Sequence, residues 1–170
     1  NALWQADHTE LDILIKDPSG RPSRPWLTTI MDDYSRAICG YMVFEGAPSA
    51  MNTALALRQA IWPKNDPAWS MCGIPDALYV DHGSDFTSHH LAQTANDLHF
   101  QIIYSTIARP QGRGKIERFF RTVREQFLVE VTDTSSEDLA AAGVDHRGAL
   151  LELNRLFMAW VETEYHRRTH

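Results

Sequence analysis

The chain has 170 residues, 44% of them apolar and 22% charged, a composition typical of one soluble globular domain that is large enough to bury a core. It contains no apolar stretch near the roughly 20 residues that span a bilayer and no signal peptide, so we predict a cytoplasmic protein without a membrane partner. The net charge of −6 argues against a protein that coats DNA through bulk electrostatics.

Residues 1–170 are interpreted as one domain, because no repeat or low-complexity run divides them. The sequence begins almost inside a predicted strand and ends directly after a predicted helix. We therefore expect it to be the excised core of a longer multidomain protein.

The first part of the chain predicts three strands joined by turns, because apolar residues alternate along each segment and turn-forming residues lie between them. These strands cover residues 4–15, 26–31 and 37–45. Two more strands (77–80 and 100–104) and four helices (48–62, 88–98, 114–130 and 150–165) follow, with an exposed polar connection over 132–145. This order predicts an α/β fold, a mixed sheet with helices on both faces.

Apolar spacing also predicts which helix faces are buried. The helix over residues 48–62 is expected to bury an apolar stripe that Arg58 interrupts, made of Met51, Ala54, Leu55, Ile61 and Trp62. Ser88 is the predicted N-cap of the next helix.

The two cysteines, Cys39 and Cys72, lie in unrelated contexts. Two are too few for a disulfide framework and these are too far apart for zinc ligands. We expect two buried, reduced thiols.

Three acidic residues lie where a metal site can form. Asp81 ends the apolar strand over residues 77–80, at the edge where open α/β sheets bind ligands. Asp7 shares a strand face with Leu11, so its carboxylate is expected to point to the packed side, where a cation would offset the cost of burial. Glu117 lies at the edge of the apolar stripe of its helix. Oxygen ligands without a nearby His or thiolate favour Mg²⁺ or Mn²⁺ over zinc.

Other acidic residues and the histidines are assigned different roles. Asp12 lies on the opposite strand face, and Asp32 and Asp33 are explained by the turn after the second strand. Asp85 is interpreted as a turn residue, and the alternative is that it supports the neighbouring Asp81. The histidines near the acids do not form a ligand-spaced set and are expected at the surface or near DNA: His8, His82, His89 and His90.

A basic segment surrounds Glu117. Residues 109–124 carry six cations against this single acid, a local excess of +5 in an acidic chain. Such a cluster predicts a surface that binds DNA phosphates. The predicted contacts are Arg109, Arg113, Lys115, Arg118, Arg121 and Arg124, and Gly112 and Gly114 are expected to let the loop approach the duplex and move.

The acids and cations occur in three segments: residues 4–9 (WQADHT), 81–88 (DHGSDFTS) and 112–118 (GRGKIER). Together they resemble the catalytic core of the retroviral integrase superfamily. The 35 residues between Asp81 and Glu117 match the spacing for which the DDE recombinases are named. One departure is His82, where many relatives carry asparagine; it lies beside a ligand and not in its place.

The resemblance implies an RNase H-like fold, with a five-stranded mixed sheet in the order 3-2-1-4-5 flanked by helices. It implies that Asp7, Asp81 and Glu117 are the catalytic residues and hold two Mg²⁺ or Mn²⁺ ions once DNA is bound, with Asp7 between both. The implied activity is DNA strand cleavage and 3′-hydroxyl strand transfer.

Residues 32–36 resemble bacterial members, which favours a transposase, of the phage-Mu-like type, over a retroviral enzyme. Such an enzyme acts at the bacterial nucleoid as a homo-oligomer on transposon ends and target DNA, with a target-selecting ATPase as partner. The loop before Glu117 is expected to be mobile without DNA, which leaves room for Glu117 to lie away from the aspartates.

Two alternatives stay open at this point. An RNase H-like nuclease or junction resolvase would use the same acids without joining ends. A domesticated, inactive DNA-binding or assembly domain would keep the fold without the chemistry. Joining of a 3′-hydroxyl end tests the first alternative, and metal titration tests the second.

Overall fold

The computed structural model describes residues 2–83, 85–105, 112–132 and 146–168. Seven strands lie within those ranges: β1 (Leu3–Glu10), β2 (Ile15–Lys16), β3 (Pro22–Ser23), β4 (Trp26–Asp32), β5 (Ile38–Phe44), β6 (Ala77–Val80) and β7 (Gln101–Tyr104). Five of them form a central sheet in the order β5-β4-β1-β6-β7, and β2 pairs with β3 in a separate ribbon.

The central sheet is mixed. β4 runs antiparallel to both β1 and β5, whereas β6 runs parallel to both β1 and β7. Counted by their order in the chain, its strands lie as 3-2-1-4-5, which confirms the predicted order.

The first strand is shorter than predicted. β1 ends at Glu10, which pairs with Trp26 of β4. The residue before Trp26, which lies opposite Leu11, is Pro25. Leu11 still donates its backbone N–H to the Pro25 carbonyl at 2.8 Å, but proline has no N–H to donate in return, so the ladder stops there. Residues 11–14 therefore leave the sheet before the short ribbon of β2 and β3 begins.

Four helices have their bounds within the described residues: α1 (Ala50–Ile61), α2 (His89–Leu98), α3 (Gly114–Thr122) and α4 (His146–Trp160). α3 continues into a π-helical turn, Val123–Phe127, and α4 into another, Val161–Tyr165. The predicted polar connection over 132–145 lies outside the described residues except for Thr132.

Serine side chains define the starts of α1 and α2. The Ser49 hydroxyl accepts a hydrogen bond from the backbone N–H of Asn52 at 3.4 Å. Ser88 accepts from the N–H of Leu91 at 3.3 Å, which confirms the predicted N-cap.

Two hydrophobic cores cover the two faces of the sheet. One packs α3 and α4 against it through large aromatic side chains: Phe119, Phe127, Phe157, Trp160 and Tyr165. The other packs α1 and α2 through smaller side chains: Ala56, Leu57, Ala60, Leu91 and Ala95. Trp4 and Ala6 of β1 belong to this second core, so Gln5 and Asp7, which alternate with them, point to the α3 face.

The predicted buried face of α1 is wrong. Met51 and Trp62 are 65% and 61% exposed, and the guanidinium of Arg58 lies 5.4 Å from the Trp62 ring centroid. The buried residues are instead small or compact: Thr53, Ala56, Leu57 and Ala60. The reason is Gly40 of β5, which lets the α1 backbone approach so closely that bulky side chains do not fit at the contact.

Gly40→Ala should destabilise the fold by about 3 kcal/mol, because a Cβ there would lie 2.4 Å from the Ala56 carbonyl oxygen and 2.8 Å from the Ala60 nitrogen. Urea unfolding measures the change. Gly114→Ala is the control, since a Cβ at Gly114 meets nothing within 4 Å. Equal stability of the two variants would contradict the close contact between α1 and β5.

Cys39 and Cys72 form no disulfide; Cys39 is buried, as predicted, whereas Cys72 is only half-buried. Burial raises the pKa of the Cys39 thiol to about 12, so its reactive thiolate is scarce at neutral pH. Among the helices of the described ranges, none is long and apolar enough to cross a membrane.

Candidate active site

Asp7 places a carboxylate on the central strand, under α3. Its side chain is buried, and the backbone N–H of His8 donates to its Oδ1 at 2.9 Å. Burial raises the pKa of the Asp7 carboxyl above its usual range, and contacts with Arg113 only partly offset this. The sequence-based expectation that Asp7 faces the packed side is confirmed.

Asp81 lies beside Asp7 because of the register of two parallel strands. Gln5 of β1 pairs with Tyr79 of β6, and each acid follows two residues later, on the same face of the sheet. Asp81 is about one-third exposed, and its Oδ1 accepts a hydrogen bond from the Gly83 N–H at 2.8 Å. One carboxylate is therefore buried and its neighbour reaches solvent.

The guanidinium of Arg113 joins the two acids. Its Nη2 forms an ion pair with Asp7, and its Nη1 lies 3.7 Å from Asp81 Oδ2. Burial lowers the pKa of Arg113, but the nearby charges of Asp7, Asp81 and Glu117 outweigh it and raise the pKa above the usual value. A fixed positive charge thus stands between the two carboxylates.

Glu117 is near this group but not part of it. Its backbone N–H donates to the Arg113 carbonyl at 3.1 Å, one turn back, while its side chain is exposed. Within the described ranges, no group of three His, Cys, Asp or Glu side chains is close enough to hold a metal ion. The structure brings Asp7 and Asp81 together and leaves Glu117 at the rim.

A polar clamp fixes the start of α3 to the sheet. The Gln5 amide donates to Asp33 Oδ1 at 2.6 Å and to the Gly112 carbonyl at 2.8 Å. Lys115 Nζ lies 2.5 Å from Asp33 Oδ2 and 2.9 Å from the Asp33 carbonyl oxygen. The clamp positions Arg113, which lies between its two anchor points in sequence.

This clamp corrects one sequence-based interpretation, that of Asp33 as a turn residue. Asp32 does make the turn, since its Oδ2 accepts from the Ser35 N–H at 2.8 Å, but Asp33 serves the clamp instead. The only signal for it in the sequence was Gln5, a polar residue on the same strand face as Asp7.

The need for glycine at position 112 is explained by a contact within the chain. A Cβ at this position would lie 2.8 Å from the Tyr79 ring, so glycine is needed for the backbone of residue 112 to approach Tyr79. Gly114 has open space around it and no such need.

The predicted phosphate contacts fall into two sets. Arg113 and Lys115 are engaged with acids of the chain, as described above. Arg118, Arg121 and Arg124 are exposed along α3 and its π-helical turn, and Arg124 Nη1 lies 3.5 Å from Thr9 Oγ1. Arg109 lies outside the described residues.

The prediction that His8 lies at the surface is wrong, whereas Asp85 lies in a turn, as predicted. Asp85 is buried and the His8 side chain is 9% exposed, and His8 Nε2 pairs with Asp85 Oδ2 on the sheet face where Thr53 of α1 also contacts Asp85. The ring of His8 stacks on Phe86, with centroids 4.5 Å apart. His82, His89 and His90 are exposed, as predicted.

The residues fit a divalent cation. The carboxylates of Asp7 and Asp81 already converge on one positive group, the Arg113 guanidinium, which occupies the place of a bound cation. Hard oxygen donors of this kind suit Mg²⁺ or Mn²⁺. Asp7 and Asp81 would hold the ion, and Glu117 is an exposed acid one turn after Arg113 on α3.

A mixed sheet in this strand order, with paired acids on two adjacent parallel strands, defines an RNase H-like core of the integrase type. The chain belongs to the family of the TnsB C-terminal domain, whose family model matches residues 5–132.

Two curated relatives extend the comparison. The transposase for transposon Tn552 of Staphylococcus aureus is 57% identical over 143 residues, which are 81% of this chain and 30% of that protein. The Gag-Pol polyprotein of Gibbon ape leukemia virus is 27% identical over 135 residues, 79% of this chain and 7% of that protein. The chain thus spans a minor part of each.

Solved structures show the same fold. The HTLV-2 integrase catalytic core domain in complex with magnesium, in its dimeric form, has a TM-score of 0.63 at 18% identity and matches 96% of this chain and 87% of that one. The catalytic core domain of BIV integrase has a TM-score of 0.57 at 20% identity and matches 96% and 95%.

Proposed function

We propose that the chain is the catalytic core domain of a DDE DNA transposase, which cleaves DNA strands and joins their 3′-hydroxyl ends to target DNA. The observation that carries this proposal is the pairing of Asp7 and Asp81 around one positive charge on adjacent parallel strands. The 57% identity to the Tn552 transposase supports it.

The chemistry assigned to this site is phosphoryl transfer. Two divalent ions held by carboxylates activate an attacking oxygen and stabilise the leaving oxygen in reactions of this class. Asp7 and Asp81 would bind Mg²⁺ or Mn²⁺ and Glu117 would complete the set. The chain then needs no protein general base.

The exposed cations would orient the DNA. Arg118, Arg121 and Arg124 follow one another at three-residue spacing from the acidic site along the helix, so they present positive charge to a phosphate backbone. Arg113 would be freed for a phosphate once a metal ion replaces it between the acids.

The partners follow from the same assignment. We propose transposon ends and target DNA as substrates, a homo-oligomer as the active form, a target-selecting ATPase as helper, and action at the bacterial nucleoid in the cytoplasm. The HTLV-2 core was solved in a dimeric form, which supports oligomer formation in this fold. Residues 1–170 are proposed to be one domain of a longer protein.

A joining assay tests the function. A protein that carries this chain is incubated with Mg²⁺, a labelled duplex ending in a 3′-hydroxyl, and a target plasmid; we expect joined product, and none when the end is 3′-dideoxy or when EDTA is added. Hydrolysed fragments without joined product from either end would assign a nuclease instead. DNA binding without any strand breakage would assign an inactive assembly domain.

A further inference from the structure

A buried pair of side chains lies behind the acidic site, on the opposite face of the sheet. His8 Nε2 donates to Asp85 Oδ2, and its Nδ1 lies 2.7 Å from Thr28 Oγ1 on β4. Thr53 of α1 donates to the same Asp85 oxygen at 3.2 Å. Side chains of His8 and Asp85 are only 9% and 8% exposed, so solvent contributes little to the contact.

Each member of the pair is close in sequence to one of the two acids, Asp7 or Asp81. His8 follows Asp7 on β1, and Asp85 is in the turn that Asp81 opens. The pair therefore ties the strand of one carboxylate to the turn of the other, independently of Arg113 on the α3 face.

The turn has no spare room. A Cβ at Gly83 would lie 2.8 Å from Asp85 Oδ1 and 2.9 Å from Asp81 Oδ1, so both carboxylates lie against the same glycine. The N–H groups of Phe86 and Thr87 both donate to the Gly83 carbonyl, at 3.1 and 3.0 Å. A shift of Asp85 would thus be passed to Asp81 through a compact turn.

We propose that His8 and Asp85 are positioning residues, which fix the separation of Asp7 and Asp81 and so set the affinity of the site for a divalent cation. The inference rests on the proposed function, because it assigns the two acids to metal binding. Buried ion pairs often add little to fold stability relative to apolar side chains of similar size, so stability alone does not account for this pair. Its specific effect is geometric, through partners that orient ligands from behind.

The test uses one disruptive variant, one conservative variant and one control. The double variant His8→Phe with Asp85→Leu keeps an aromatic ring stacked on Phe86. It replaces the hydrogen-bonded pair of His8 and Asp85, here called the tie, with an apolar contact. Asp85→Asn keeps an oxygen that accepts from His8 Nε2. Tyr41→Phe is the control, since it removes a hydrogen bond of 2.9 Å to the Asn154 carbonyl in the core on the α3 face and touches neither His8 nor Asp85.

Mn²⁺ binding to the folded chain, followed by calorimetry, is the first measurement. We expect the double variant to bind Mn²⁺ roughly 10–100-fold more weakly, whereas Asp85→Asn and Tyr41→Phe stay within about threefold of the unaltered chain. Unchanged affinity in the double variant would overturn the proposal. An equal loss in Asp85→Asn would also overturn it, because it would make Asp85 a ligand.

Hydrogen exchange separates this inference from the proposed function. If the unaltered chain binds no Mn²⁺, the metal assignment of Asp7 and Asp81 fails, and the tie is judged by amide exchange in residues 81–87. We expect faster exchange there in the double variant and not in Tyr41→Phe. Equal exchange in all variants would overturn the tie.

Discussion

Asp7→Asn should reduce the rate of strand joining in Mg²⁺ by about 1000-fold or more, a barrier increase of about 4 kcal/mol. The substitution keeps the size of the side chain and removes the charge that a divalent ion requires. Because burial already raises the pKa of Asp7, loss of its charge should leave the fold intact. The joining assay described above, with thermal unfolding in parallel, measures both effects.

Asp12→Asn is the matched control. Asp12 follows β1, where the chain has left the sheet, and it is exposed and paired with Arg24 at 3.0 Å. Its substitution should leave joining unchanged. An Asp7 variant that retains a tenth of the activity would remove this residue from the reaction.

Glu117→Gln is expected to have an effect of the same order. It is the informative variant, because in this structure Glu117 stays at the rim and does not join Asp7 and Asp81. Glu125→Gln, in the π-helical turn after α3, is its control, since Glu125 is also exposed. If Glu117→Gln and Glu125→Gln behaved alike, the site would consist of the two aspartates alone.

Arg113→Gln should tighten Mn²⁺ binding by roughly 10-fold. A unit charge about 4 Å from a carboxylate is worth about 4 kcal/mol at an effective dielectric constant of 20, and partial exposure screens much of it. The guanidinium and the cation compete for the same two acids, so removing the first favours the second. Titration calorimetry of the folded chain with Mn²⁺ gives the affinity.

Arg118→Gln controls for the general loss of positive charge, because Arg118 is exposed on the same helix and faces solvent. It should leave Mn²⁺ affinity unchanged. The metal-free Arg113 variant should also be less stable than the unaltered chain, since Asp7 loses its partner. Weaker Mn²⁺ binding on loss of Arg113 would mean that the guanidinium supports the metal site and does not oppose it.

The placement of Asp7 and Asp81 at the site was predictable, because it depends on local signals. Alternating residues along β1 show which side chains share a face of the sheet. An acid that ends a short apolar strand in an α/β fold lies at the carboxyl edge of the sheet, where ligands bind. The resemblance to integrase cores supplied the sheet order, which periodicity alone does not determine.

The supporting contacts were not predictable, because each needs a partner that is distant in sequence. Asp33 resembles an ordinary turn residue until Lys115, 82 positions later, is placed beside it. His8 resembles a surface histidine until Asp85 is buried against it. The face of α1 was misassigned for a related reason, since the close contact at Gly40 outweighs the apolar stripe of the helix.

The parallel pairing of β1 with β6 also bears on when the site comes into existence. Asp7 and Asp81 are more than 70 residues apart in sequence, and antiparallel hairpins can form among β1, β4 and β5 long before this loop is closed. Closing a long loop carries an entropic cost that only the completed sheet repays. We therefore expect the two acids to become neighbours late in folding, so that a nascent or partly folded chain would not yet have the acidic pair.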